Sequence, residues 1–183
     1  MQKKPSGRRS QEENGVKKND TVWYACYGSN LSASRFRSYI KGTVNPANGI
    51  PEKGCTDKSL WTGEAFQTVR GQLYFAKSSK KWDYGGVAFF DPDGDDEIYL
   101  RLYRITKEQF AEVQKQEGDW YTERVDLGPA EDGNPIVSFT SPVRHQSNPP
   151  SDRYRAWIET ALIEECGVPA ETAKRYLDRA IEN

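Results

Sequence analysis

One glutamate in the sequence is placed where a carboxyl group could carry protons. Phe110, Val113 and Glu117 are spaced three and four residues apart, which places their side chains on one face of a helix. Glu112 and Lys115 fall on other faces, where charged side chains meet water. Glu117 therefore shares the apolar, inward face, unless its side chain at the helix end simply reaches back to water.

An inward position would change the acidity of Glu117. Burial disfavours the anion, and the negative end of the helix dipole disfavours it further, so both effects are expected to raise the pKa of this carboxyl group. A carboxyl group with a raised pKa is suited to general acid–base catalysis near neutral pH.

A second candidate lies near the start of the chain. Strand-forming residues from Val22 to Cys26 run into Gly28-Ser29-Asn30, which has the composition of a turn. The strand is expected to break at Gly28, where the backbone can turn sharply or approach a ligand closely. Backbone amides from Gly28 to Leu31 could then surround one carboxylate or one developing oxyanion. An ordinary turn between a strand and a loop is the alternative interpretation.

The elements that must position these groups have recognisable signals. Thr106-Lys107-Glu108-Gln109 has the pattern of a capping box, which starts the helix of Glu117, and Gly118 ends it. Alternation predicts strands over Val69–Ala76, Gly86–Phe90 and Ile98–Ile105. The acidic run from Asp91 to Glu97 is predicted to be a solvated hairpin loop.

The C-terminal part of the chain has helical periodicity. One helix is predicted from Ser151 to Gly167, and a last helix begins at Pro169. Strands dominate the middle of the chain and helices its end, so the predicted class is α+β.

Composition excludes several classes of protein. The formal net charge of −1 over 183 residues argues against nucleic acid as the main partner. Three cysteines and one histidine, without metal-ligand spacing, indicate a reduced protein with no structural disulfide or zinc site. With no signal peptide and no membrane span in the sequence, the expected location is cytoplasmic.

The chain is predicted to contain one domain after a short arm. Residues 1–20 hold six basic and three acidic side chains and no aromatic residue, so they carry a charge of +3 and leave −4 for the rest. This segment cannot bury enough apolar surface to offset its ordering entropy, and it is predicted to be a disordered basic arm. Residues 21–183 form the predicted domain.

Several short motifs also carry a resemblance to a known family. Tyr27-Gly28-Ser29-Asn30-Leu31 resembles the Tyr-Gly-Ser-Asn-Leu signature of the γ-glutamylcyclotransferase family, and Gln116-Glu117-Gly118 resembles the segment that carries the catalytic glutamate of that family. Other similar segments follow the family's order, and the set spans about Tyr24 to Leu177. They are Trp82 with Gly85-Gly86, Tyr121, and Asn148-Pro149-Pro150-Ser151 with Tyr154.

The resemblance implies a fold, a reaction and a site. The implied fold is a small, mixed, partly closed β-barrel with helices around it. The implied reaction releases 5-oxoproline and a free amine from a small γ-glutamyl compound, with Glu117 as general acid and base and without a cofactor or a metal. The implied substrate-binding residues are Tyr27, Gly28, Ser29, Asn30, Leu31, Gly86, Tyr121 and Tyr154.

Departures from the family pattern leave alternatives open. Cys26 stands where the family usually has alanine, and the loop Thr43–Trp61 has no counterpart in better-known members. Asn30 in the signature makes glutathione a less favoured substrate than other γ-glutamyl compounds. A non-catalytic sensor or interaction module is the main alternative, and removal of a γ-glutamyl protecting group from a carrier-linked intermediate is another.

Overall fold

The computed structural model of the protein describes residues 20–182, so the predicted arm lies outside them except for Asp20. Helices and strands both contribute to the fold, and the predicted α+β class is confirmed. The strands are β1 (Thr21–Cys26), β2 (Glu64–Arg70), β3 (Gln72–Ala76), β4 (Val87–Asp91), β5 (Glu97–Thr106), β6 (Glu123–Pro129) and β7 (Pro135–Thr140). The helices are α1 (Ala33–Lys41), α2 (Lys107–Glu117), α3 (Asp152–Thr160) and α4 (Ala170–Glu182).

Strand β1 lies at the centre of a five-stranded sheet with the order β2-β5-β1-β7-β6. It pairs antiparallel with β5 and parallel with β7. Val22, Tyr24, Ala25 and Cys26 are all buried, as expected for a strand covered on both faces. The chain segment that follows β1 therefore begins deep inside the protein.

The implied barrel is wrong in this structure, because the sheet does not close. Strands β2 and β6 are the two edges of the five-stranded sheet, and β3 and β4 form a separate two-stranded sheet. The cause is local. Gly71, with φ of +146°, splits the strand predicted over Val69–Ala76, so its first part pairs with β5 and its second part turns away to pair with β4.

The same break corrects the prediction for the acidic run from Asp91 to Glu97. This run joins β4 to β5, but those strands belong to different sheets, so the run is a crossing between sheets and not a hairpin loop. It stays beside the break at Gly71, whose amide donates to the carbonyl of Asp96 at 2.9 Å.

Helix α2 has the predicted boundaries. The Thr106 side chain accepts from the Gln109 amide, the Gln109 side chain accepts from the Thr106 amide, and Gly118 is the C-cap residue. Phe110 and Val113 pack into the core with 3% and 0% exposure. Glu117 lies on the same helix face one turn later, so this face is directed inward there as well. The predicted helix from Ser151 ends earlier than expected as α-helix, because Ala161–Glu165 continues it as a π-helical turn.

Cys26 and Cys55 are buried free thiols, and Cys166 is a partly buried free thiol. In residues 20–182, no helix has both the length and the apolar character needed to cross a membrane.

Candidate active site

Glu117 is the last residue of α2, and its carboxylate is held by groups from two other segments. Asn30 Nδ2 donates to Oε1 at 2.7 Å, and the Tyr39 hydroxyl donates to Oε2 at 3.2 Å. Glu117 is partly buried. Its side chain turns inward at the helix end, toward Asn30 and Tyr39.

The environment of Glu117 changes its acidity in the expected direction. Burial raises the pKa of this carboxyl group, and the positive charge of Arg35 together with hydrogen bonds from Tyr39 and Asn30 opposes part of that rise. Glu52 adds a smaller rise through charge repulsion. The net result is a pKa above the usual value for glutamate, which favours proton uptake and release close to neutral pH.

The segment after β1 forms the predicted turn and leaves two backbone donors without an acceptor. Ser29–Leu31 is a short 3₁₀ turn that follows Gly28. The Leu31 amide donates to the carbonyl of Gly28 at 3.0 Å, so Leu31 is not part of a free group of donors. Within residues 20–182, the amides of Gly28 and Asn30 have no hydrogen-bond acceptor, whereas the Ser29 backbone interacts with the Tyr154 hydroxyl. The turn can therefore offer two N–H groups to a ligand.

Asn30 links the turn to the carboxylate. Its carbonyl accepts from the Tyr103 hydroxyl at 3.1 Å, which fixes the backbone, and its side-chain nitrogen also lies 3.3 Å from the Tyr24 hydroxyl. The side-chain oxygen of Asn30 is buried and has no partner in the described part of the chain. A buried acceptor without a partner leaves one hydrogen bond available for a ligand donor.

Two cavities with shared lining residues border Glu117. The inner cavity, of about 40 Å³, is bordered by Gly28, Ser29 and Asn30 as well as by Glu117. The outer cleft, of about 390 Å³, is bordered by Ser29 and Glu117 and opens to solvent between Lys80, Lys81, Trp82 and Trp120. Both cavities share Ser29, Glu117, Tyr121 and Tyr154. Glu117 thus borders both a narrow inner cavity and a wider, open cleft.

Three predicted tyrosines border these cavities. The Tyr27 hydroxyl donates to the carbonyl of Phe139 and the Tyr121 hydroxyl to the carbonyl of Ala88, both at 2.8 Å. The Tyr154 hydroxyl accepts from the Ala88 amide at 3.3 Å, and burial raises its pKa to about 12. All three rings are therefore fixed walls of the cavity.

Leu31 and Gly86 are the two predicted site residues that border neither cavity, and Leu31 is fully buried in the core. The position of Gly86 has a separate structural reason. Gly86 lies against the segment that precedes α3, where a Cβ atom added to it would be 1.9 Å from the carbonyl oxygen of Asn148. Its amide donates to the carbonyl of Pro149 at 2.8 Å. Gly86 therefore lets two backbones approach and holds the β3–β4 hairpin in place.

Sequence reasoning missed the polar side chains beneath the carboxylate. Arg35 is buried on α1, where Nε donates to Ser29 Oγ at 2.8 Å and Nη2 donates to the Tyr39 hydroxyl at 3.1 Å. Its Nη1 forms a salt bridge with Glu52 at 3.1 Å. Arg35 and Tyr39 are four residues apart within the apolar stripe of α1. A charged residue in an apolar stripe is unusual, and it could have indicated from the sequence that Arg35 is buried with a partner.

Among residues 20–182, no group of three or more His, Cys, Asp or Glu side chains could hold a metal ion. The polar groups around Glu117 are amides, hydroxyls and one guanidinium, which donate hydrogen bonds to anions and oxygen atoms. This arrangement can bind a small polar ligand and move a proton to or from it.

No protein-family model matches the sequence. A search of characterised proteins finds a similar stretch in Histone deacetylase 5 of Arabidopsis thaliana, with 30% identity over 209 aligned positions. The match covers 87% of this chain and 31% of the plant protein, so the chain spans about a third of that relative.

Solved structures share the fold. A structure of a gamma-glutamyl cyclotransferase superposes with a TM-score of 0.61 at 21% identity and covers 87% of each chain. An uncharacterized human protein gives a TM-score of 0.60 at 21% identity, covering 90% of this chain and 100% of its own. YkqA from Bacillus subtilis gives 0.56 at 19% identity, covering 91% of this chain and 56% of its own. At these identities the similarity concerns the fold.

Proposed function

We propose that this protein is a γ-glutamyl cyclotransferase that releases 5-oxoproline and a free amine from a small γ-glutamyl compound. The observation that carries the proposal is the carboxyl group of Glu117, with its raised pKa, in the same cavity as Gly28 and Asn30, whose amides have no acceptor in the described residues. The shared fold with a gamma-glutamyl cyclotransferase supports it.

The nucleophile in this reaction belongs to the substrate. The α-amine of the γ-glutamyl group attacks its own γ-carbonyl carbon, a five-membered lactam forms, and the bond to the amine partner breaks. Because the attack is intramolecular, the protein mainly has to fold the substrate into attack geometry and exclude water. The inner cavity between Tyr27, Tyr121 and Tyr154 has room for one end of such a chain, and the rest would lie in the outer cleft beside Glu117.

Glu117 would carry the proton. Its carboxylate takes a proton from the α-ammonium group, which frees the nitrogen lone pair for attack. The same carboxyl group then returns this proton to the departing nitrogen. As the lactam forms, the attacking nitrogen loses its second proton, which Glu117 also passes to the released amine, so the amine leaves as an ammonium ion and the residue ends the cycle ionised. Hydrogen bonds from Asn30 and Tyr39 hold the two oxygens in place throughout.

The turn after β1 would bind substrate oxygen. The amides of Gly28 and Asn30 can donate either to the α-carboxylate or to the γ-carbonyl oxygen as it gains negative charge. The unpartnered side-chain oxygen of Asn30 can accept from the α-ammonium group. The amine partner would then lie in the outer cleft, which has room for an amino acid, an amine or part of a larger conjugate.

A direct assay tests the proposal. The protein would be incubated with γ-glutamyl amino acids, γ-glutamyl amines and glutathione, and 5-oxoproline would be detected by mass spectrometry. We expect release by the parent protein and a loss on the order of a hundredfold or more in Glu117→Gln. Glu108→Gln is the matched control, because Glu108 is exposed on the first turn of the same helix.

Other outcomes of this assay would contradict the proposal. Full activity in a folded Glu117→Gln variant would remove the assigned proton carrier. No release from the whole panel would favour the non-catalytic alternative, in which the same cavity binds a small ligand. The similarity to the plant protein suggests no further candidate function, because the aligned stretch covers 31% of that protein.

A further inference from the structure

The loop between α1 and β2 places a buried carboxylate beneath the candidate site. Glu52 and Arg35 have side-chain exposures of only 5% and 3%. Glu52 Oε1 accepts from Arg35 Nη1 at 3.1 Å and from Asn45 Nδ2 at 2.8 Å. A buried carboxylate is costly unless it is paired and hydrogen-bonded, and here both conditions are met.

The loop is built around this carboxylate. Asn45 is fully buried, its amide donates to the carbonyl of Ile50 at 2.9 Å, and the Glu52 amide donates to the carbonyl of Thr43 at 3.1 Å. These bonds fold residues 43–52 back on themselves. The loop that matched no better-known relative in the sequence thus delivers one side chain to the site.

A continuous path of contacts leads from Glu52 to the proposed acid and base. Arg35 Nη2 donates to the Tyr39 hydroxyl at 3.1 Å, and this hydroxyl donates to Glu117 Oε2 at 3.2 Å. Arg35 Nε also donates to Ser29 Oγ at 2.8 Å, which ties the same guanidinium to the turn with the free amides. The orientation of Arg35 therefore affects both halves of the site.

We propose that Glu52 is a positioning residue for Glu117, which it controls through Arg35 and Tyr39. The inference rests on the proposed function for its kinetic consequences. Glu52 holds the guanidinium so that Nη2 meets Tyr39 and Nε meets Ser29. It also balances the charge of Arg35 next to the carboxylate that must gain and lose a proton.

Charge balance gives this role a measurable sign. The positive charge of Arg35 lowers the pKa of Glu117, and the negative charge of Glu52 raises it by a smaller amount. Other polar or titratable groups surround Glu117 or border the same cavities. They are Tyr24, Cys26, Tyr27, Asn30, Tyr39, Tyr121 and Tyr154 around the carboxyl group, and Lys80, Lys81 and Asp119 at the mouth.

The first test is Glu52→Gln, which keeps the shape and removes the charge. The unbalanced Arg35 should lower the pKa of Glu117, so the carboxylate survives to lower pH. We expect the acid limb of kcat/KM to move down by about 0.5–1 pH unit, and kcat to fall on the order of tenfold because Arg35 loses its fixed orientation. An acid limb at the parental pH in a folded variant would overturn the proposal.

A matched control separates this effect from damage to the loop. Glu112 on α2 accepts from the amide and hydroxyl of Thr56 and so anchors the same loop, but it does not contact Arg35. Glu112→Gln should leave the acid limb where it is in the parent. An equal shift in this variant would mean that any loosening of the loop changes Glu117, which would overturn the specific role of Glu52.

A second variant covers the case in which Glu52→Gln does not fold. The double variant Arg35→Met/Glu52→Gln removes both charges at once. Removal of a whole buried ion pair destabilises a protein less than removal of one partner, because no buried charge is left unpaired. Because Arg35 has the larger effect on Glu117, the acid limb should now move above the parental pH. An acid limb at or below the parental pH would overturn the proposal.

An activity-independent readout keeps this proposal distinct from the proposed reaction. The carboxyl carbon of Glu117 can be followed by NMR during a pH titration and assigned by its absence in Glu117→Gln. The pKa of Glu117 should be lower in Glu52→Gln and higher in the double variant than in the parent. These shifts in a protein that releases no 5-oxoproline would support the positioning role while the proposed reaction fails. Unchanged titration in an active protein would overturn the role and leave the reaction in place.

Discussion

Two arginines hold the same turn from different directions, and only one of them reaches the proposed catalytic group. Arg35 on α1 donates to Ser29 Oγ at 2.8 Å, and Arg101 on β5 donates to the carbonyl of Leu31 at 2.7 Å. Arg35 is also two hydrogen bonds away from Glu117, through Tyr39. Arg101 therefore fixes the position of the turn, whereas Arg35 also affects the proposed acid and base.

The carboxylates that pair with these arginines differ in exposure to water. Glu52, the partner of Arg35, has 5% of its side chain exposed. Arg101 pairs with Glu64 and Glu165, whose side chains are 44% and 30% exposed. Water can therefore reach the carboxylates that pair with Arg101, whereas the carboxylate that pairs with Arg35 is almost fully shielded from it. The buried pair is more costly to break.

The largest expected effect of breaking one pair is at Arg35. Arg35→Met leaves Glu52 buried without its cation, so the free energy of unfolding should fall by about 3–5 kcal/mol. Turnover should fall as well, because Tyr39 and Ser29 lose the guanidinium that orients them. Urea unfolding and 5-oxoproline release measure the two effects. A smaller loss of stability than in Arg101→Met would contradict the comparison.

Arg101→Met should act on stability and leave the proposed chemistry nearly intact. The loss of hydrogen bonds to Leu31 and of two partly exposed ion pairs should lower the free energy of unfolding by about 1–3 kcal/mol. We expect kcat to change by less than about threefold and the acid limb of kcat/KM to stay in place, since Arg101 has no link to Glu117 like that of Arg35. A moved acid limb would show that both arginines control the carboxylate.

The smallest expected effect concerns the pH dependence of stability, which Glu117 and Glu64 should change in opposite directions. Burial raises the pKa of Glu117 above its usual value of 4.5, so its contribution to stability is present below that pH and is lost as the pH rises through the folded-state pKa. For Glu64, burial would raise the pKa, but hydrogen bonds from Arg101 and Trp61 lower it overall. Its contribution is present above pH 4.5 and is lost as the pH falls through the folded-state pKa.

Two variants measure this difference in urea between pH 3.5 and 7. Relative to the parent, Glu117→Gln should gain stability as the pH rises, because it cannot ionise in a buried position. Glu64→Gln should lose stability relative to the parent over the same range, because it lacks the favourable carboxylate. The same slope in both variants would mean that the two carboxylates experience similar environments.

Local signals explain why the inward-facing position of Glu117 could be predicted from the sequence, whereas its catalytic role came from the family resemblance and stays a prediction. The capping box at Thr106, the stop at Gly118 and the spacing of Phe110 and Val113 all lie within thirteen residues, from 106 to 118. Such patterns fix the face of a helix without knowledge of distant contacts. The turn at Gly28 was predictable for the same reason.

Distant contacts explain what the sequence did not predict. The partnership of Arg35 with Glu52 depends on a loop without periodicity, whose shape comes from hydrogen bonds to buried Asn45. The open sheet depends on how Gly71 directs two halves of one predicted strand to different partners. Both features arise from pairing between segments, which periodicity does not encode.

The contact at Gly86 has a consequence for the speed of ligand exchange. Gly86 and Gly85 press against residues 148–151, and the Asn148 amide donates to the carbonyl of Phe75 at 2.9 Å, so the β3–β4 hairpin is held by its backbone and cannot swing away as a lid. Entry to the outer cleft then depends on exposed side chains such as Lys80 and Lys81. Rotamer changes of exposed side chains take picoseconds to nanoseconds, whereas lid opening takes microseconds or longer. Product escape is therefore expected to be limited by affinity and not by a gate.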